Sequence, residues 1–112
     1  MYIFVNNDIG LSPGAACAQT SHITQVLVDE LVTDSFIEIK TPEHCIAYSK
    51  WKLNPVTVIL KATYSELEEL IKISGARTFT DEIDGVTIMT TVGFPPDCTK
   101  IGGITKKYKL YD

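Results

Sequence analysis

A short apolar run, Tyr2-Ile3-Phe4-Val5, is followed a few residues later by Ser12-Pro13-Gly14-Ala15-Ala16-Cys17-Ala18-Gln19-Thr20-Ser21-His22. This pairing constrains the fold more than any other part of the chain. Ser12 suits a helix cap, and Pro13 suits the first helical position, where a missing N–H costs nothing. The small side chains of Ala15, Ala16 and Ala18 predict a helix lying close to a sheet. A helix start held at the tip of a strand presents unpaired N–H groups and a positive dipole end, a place for a phosphate or a developing oxyanion. The N–H groups of Gly14 and Ala15 are the candidate donors. Gln19 and His22, three residues apart, project to the same side of that helix. The same turn also serves as a plain connection in many folds.

The periodicity that follows predicts a helix over residues 13–32, with Ala16, Ile23, Leu27 and Leu31 on its buried side. Residues 33–41 read as loop or extended chain, and Thr41-Pro42-Glu43 opens a second helix to about Trp51. Val56-Thr57-Val58-Ile59-Leu60 is a β-branched run fit for a buried strand. Thr63-Tyr64-Ser65-Glu66 is a capping box; it opens a helix through Leu67, Leu70 and Ile71 that stops at Gly75. Strands near 77–82 and 86–92 are joined by Asp84-Gly85, a hairpin-turn dipeptide, and Pro95-Pro96 ends the second. A helical turn around 97–103 leads to Lys107-Tyr108-Lys109-Leu110, which reads as a final edge strand. This order is α/β, with parallel first strands and a mixed sheet of four to five strands. All 112 residues fit one domain.

No segment reaches the roughly 18 apolar residues of a membrane span, and the start does not read as a signal peptide. Three cysteines, Cys17, Cys45 and Cys98, are an odd number at wide spacing. They argue for a reducing compartment, and the expected location is cytoplasmic. The net charge of −4 counts against a protein whose main task is gripping nucleic acid. Charge is uneven, however: Glu66, Glu68 and Glu69 load one helix, while Lys100, Lys106, Lys107 and Lys109 gather near the C-terminus.

Other chemistries find little support. Cys17 and His22, five apart on one helix, point to nearly opposite faces and make no local nucleophile pair. His22, His44 and the cysteines show no metal-ligand spacing, and neither a G-x-x-x-x-G-K-[ST] loop nor a G-x-G-x-x-G turn is present.

The segment Gly14-Ala15-Ala16-Cys17-Ala18-Gln19-Thr20-Ser21-His22 resembles the G-x-x-x-A-Q-x-x-H helix of the type 2 peptidyl-tRNA hydrolases. Trp51 ahead of the strand Val56 to Lys61, the Ser65-Glu66-Leu67-Glu68-Glu69-Leu70 helix, the Val92-Gly93-Phe94-Pro95-Pro96 turn and the tail Ile104 to Leu110 are similar in order along the chain. The resemblance implies a three-layer α/β/α sandwich that hydrolyses the ester between a nascent peptide and the terminal ribose of tRNA. It implies no metal or other cofactor, and commonly a homodimer. By position it assigns Gln19 and His22 to the site helix, and Asp8 to the acidic position after the first strand. Asp81 or Asp84 would orient water, Thr87 would offer a hydroxyl, and Lys106 and Lys107 would meet phosphate if the last segment ran beside the site. This chain has Gly10, Pro13 and Ala15 where the family carries lysines. Only Asp81-Glu82-Ile83-Asp84-Gly85 followed by Thr87 stands in place of its D-x-G-R-T-Q loop. Phe79-Thr80-Asp81-Glu82-Ile83 with the lysine-rich end is also similar to a sister family of unassigned function. The alternative expectation is therefore an inactive module of the same fold that binds a protein or RNA partner.

Overall fold

Alternation along β1 (Tyr2–Asn6) sends Ile3 and Val5 to one face of the sheet and Phe4 to the other, all three fully buried. Such a strand needs cover on both faces, and its sequence neighbours provide it. A computed structural model describes residues 1–37, 42–96 and 98–112. In chain order β1 is followed by α1 (Pro13–Ile37), α2 (Pro42–Leu53), β2 (Val58–Ala62), α3 (Tyr64–Leu70), β3 (Arg77–Ile83) and β4 (Val86–Phe94). Two short 3-10 turns, Thr99–Gly103 and Thr105–Lys107, close the chain. The sheet has the order β2-β1-β4-β3; β1 and β2 are parallel, and β4 runs antiparallel to both β1 and β3. The result is the expected α/β arrangement around a mixed four-stranded sheet.

Ile23 and Leu27 of α1 cluster with Ile3 and Val5 on one face. Leu67 and Leu70 of α3 cluster with Phe4, Leu60, Val92 and Phe94 on the other. Ala16, Ile23, Leu27 and Leu31 are all buried, as their spacing predicts. The close approach of α1 to the sheet has a different origin from the one the alanines suggest, for Ala18 is exposed and Ala15 only half-buried. It occurs at Gly93 of β4, where a Cβ would stand 2.7 Å from Leu27 Cδ1 and 2.9 Å from Ile23 Cγ1.

Several boundaries differ from the sequence reading for local reasons. Residues 33–37 continue α1, and residues 38–41 lie outside the described residues. Strand β2 starts at Val58 because Val56 is turned aside: its N–H donates to Asn54 O, and its carbonyl accepts from the Trp51 indole and the Met1 amine. The capping box forms as expected, with Thr63 Oγ1 accepting from Glu66 N–H and Glu66 Oε1 accepting from Thr63 N–H. The closing edge strand contracts to one bridge, Leu60 to Leu110, flanked by Lys61 N–H to Lys109 O and Tyr111 N–H to Ile59 O. At the hairpin tip Asp84 and Gly85 both adopt positive φ (51° and 81°), the pair of conformations that a two-residue turn demands. Among the described residues no helix is long and apolar enough to cross a membrane.

Candidate functional site

Odd-numbered residues of β3 face α1, and three of them meet it in series. Arg77 forks onto the Glu30 carboxylate, Phe79 stacks on His22, and Asp81 meets Gln19. The helix and the edge strand are thus joined along their length by specific side chains. The last two contacts bring Gln19, His22 and Asp81 together, three of the residues singled out above.

Gln19 is the organising group. Its side chain is buried, so both ends of its amide need partners. Nε2 donates to Asp81 Oδ2 at 2.9 Å, and Oε1 accepts from Thr90 Oγ1 at 2.6 Å. Asp81 receives a second hydrogen bond, from Glu82 N–H to Oδ1 at 2.8 Å. The Gln19 hydrogen bond, then the Glu82 amide, hold the Asp81 carboxyl below its ordinary range, with a smaller contribution from the charge of His22. Asp81 is therefore a fixed anion at neutral pH, with lone pairs left to accept from water. His22 is exposed; one face of its ring lies on Phe79, with centroids 4.8 Å apart and planes 26° apart.

A β-bulge supplies the fourth member. Phe79 pairs with Thr91 and Thr80 with Met89, so Thr90 is the extra residue of β4. The bulge turns both Thr90 and Thr91 toward α1. Thr90 reaches Gln19, whereas the Thr91 hydroxyl is fully buried and has no hydrogen-bond partner among the described residues.

The other expected site residues lie elsewhere. Asp84 sits exposed in the hairpin turn with φ 51°, a backbone role that accounts for it. Thr87 pairs with Glu82, and so lies on the face of the hairpin opposite the one that carries Asp81. Asp8 is a clasp: its Oδ2 accepts from Tyr64 N–H at 2.8 Å, tying the loop after β1 to the start of α3. Ser12 caps α1 as expected and thereby consumes one proposed donor, since its Oγ accepts from Ala15 N–H at 3.2 Å. Gly14 lies exposed in the first turn. Lys106 and Lys107 form the last 3-10 turn, and the segment after them runs along β2. Strand β3 is the opposite edge, three strand spacings or roughly 14 Å away. The final segment does not run beside Asp81.

Three contributors escaped the sequence reading. Thr90 needed the bulge, which no local motif announced. Phe79 is legible as a strand residue and as the start of the sister-family segment, but not as a partner of His22. Asn6, buried at the end of β1, donates from Nδ2 to Met89 O and accepts from Asp8 N–H at Oδ1, fixing the bend into the loop. A polar amide ending an apolar strand was its signal.

Set beside known proteins, the sequence matches no family model and no curated protein.

Proposed function

We propose that the chain hydrolyses the ester bond of peptidyl-tRNA, releasing peptide and tRNA, with Asp81, His22 and Gln19 as its working residues. The observation that carries this reading is the Asp81 carboxylate, held by Gln19 and the Glu82 amide on the strand whose Phe79 stacks on the exposed His22 ring. An ester needs a positioned water, a base and donors for the oxyanion. Asp81, kept anionic, is a weak base but a good acceptor, and it orients the water. His22 takes the proton as the water attacks the carbonyl carbon, then returns it to the ribose oxygen as the ester C–O bond breaks. Gln19 is a positioning residue that fixes the carboxylate. In this reading the helices on the two sheet faces are the outer layers of a three-layer α/β/α sandwich of the type 2 peptidyl-tRNA hydrolase kind. The protein then works in the cytoplasm, as a homodimer where the family habit holds.

The test is peptide release from peptidyl-tRNA by the purified chain, with His22→Ala, Asp81→Asn and Asp84→Asn alongside. The expected result is turnover in the wild type, loss of about 100-fold or more in the first two variants, and little change in the third. Absence of turnover in a folded sample would favour the alternative, an inactive module binding a protein or RNA partner. That alternative draws on one specific observation: the C-terminal lysines sit at the far sheet edge from Asp81.

A further inference from the structure

Strands β1 and β2 are adjacent and parallel, yet the helices that follow them depart to opposite faces of the sheet. Helix α1 packs on the face of Ile3 and Val5, and α3 on the face of Phe4 and Leu60. In open α/β sheets such a reversal leaves a crevice beyond the carboxyl ends of the two strands, the common place for a ligand. Here that crevice is a cavity of about 210 Å³. Its walls are Asn7, the first residue after β1, Thr63, the first after β2, and Glu66, Lys107, Tyr108 and Lys109.

We propose that this crevice binds a phosphate group. The net charge of the chain is −4, yet Lys107 and Lys109 both line this one cavity, and Lys61 adds to its wall. Lysine ammonium groups bind phosphate as point charges, and the Asn7 side-chain amide and Tyr108 hydroxyl add neutral donors, the Asn7 backbone N–H being bonded to Ala62 O. The Tyr108 hydroxyl keeps its proton, since burial and the charge of Glu66 both raise its pKa. Lys107 is steadied over the Tyr108 ring, its Nζ 5.4 Å from the centroid. Two carboxylates oppose the lysines. Glu66 is engaged in the α3 capping box, and Asp112 pairs with Lys61 while its charge also acts on Lys109. The volume suits a phosphate group rather than a whole drug-sized ligand, which fills about 300 Å³ or more. Any remainder of the ligand extends into solvent. Two donors at the start of α3 are already used, Tyr64 N–H by Asp8 and Glu66 N–H by Thr63. The proposal is independent of the Asp81 cluster, which lies at the other edge of the sheet.

The test is a titration of the nitrogen-15-labelled full chain with inorganic phosphate, a 5′-mononucleotide and acetate, followed by amide NMR shifts. Saturable shifts at Asn7, Thr63 and Tyr108 with phosphate and mononucleotide, but not acetate, are expected. The double variant Lys107→Ala/Lys109→Ala should bind about tenfold more weakly. Asp112→Asn should bind more tightly, because a competing negative charge is gone. A mononucleotide that binds more tightly than phosphate identifies a nucleotide as the carrier; equal binding identifies free phosphate. Unsaturated shifts, an equal response to acetate, undiminished binding by the double variant, or no gain from Asp112→Asn would each overturn the proposal.

Discussion

Thr90 and Thr91 are neighbours on one strand, both fully buried and both turned toward α1, yet the structure predicts opposite consequences for the same substitution. Thr91 pairs with Val5 of β1 and Phe79 of β3, and its buried hydroxyl has no hydrogen-bond partner among the described residues. A buried polar group left unpaired costs about 1–3 kcal/mol. Thr91→Val removes the hydroxyl and keeps the β-branched shape, so strand propensity is little changed. The expected gain is about 1–3 kcal/mol, and near this chain length each kcal/mol raises Tm by about 4 °C. Thr90→Val does the reverse. It strips Gln19 Oε1 of the hydroxyl that donates to it at 2.6 Å inside the same interface, and should cost about 1–3 kcal/mol. Urea and thermal unfolding of both variants, followed by circular dichroism, decide the matter. A destabilised Thr91→Val, or a shift of the same sign in both, would refute the bulge geometry from which the reasoning starts.

Two further outcomes follow from the α1–β3–β4 junction. Gly93→Ala forces a methyl to within 2.7 Å of Leu27 and 2.9 Å of Ile23, and should destabilise the fold by about 1–3 kcal/mol in urea unfolding. The second concerns acid stability. Asp81 has its carboxyl pKa lowered by folding, so its stabilisation is complete above the ordinary aspartate range and is lost as pH falls through the folded value. Unfolding measured between about pH 5 and pH 2 should show a shallower loss of stability in Asp81→Asn than in the wild type.

Much of this architecture is written locally. Ser12 at the start of α1, the Thr63–Glu66 box and the Asp84-Gly85 turn each carry their own geometry, and each forms as its residues require. The buried face of α1 is equally legible, because four apolar residues at helical spacing have only one side to share. What could not be read is what depends on partners distant in sequence. Gln19 meets Asp81 across 62 residues, through a bulge at Thr90 that shifts the register of β4. Asp8 stands in the expected place after β1 but spends its carboxylate on the α3 backbone, a bond that spans 56 residues. Asp84 and Thr87 sit close to Asp81 in sequence, yet turn geometry and strand alternation direct them elsewhere. Lys107 and Lys109 are a basic cluster in the sequence; only the switch in helix direction between β1 and β2 gives that cluster a cavity.

The bond between Gln19 and Asp81 is the centre of the α1–β3 junction, and a carbon-13 NMR titration of the Asp81 carboxyl measures its effect. In the wild type the midpoint should fall below the ordinary aspartate value of about 3.9, and in Gln19→Leu it should move back toward that value. A wild-type midpoint at or above the ordinary value, or one unmoved by Gln19→Leu, would contradict it.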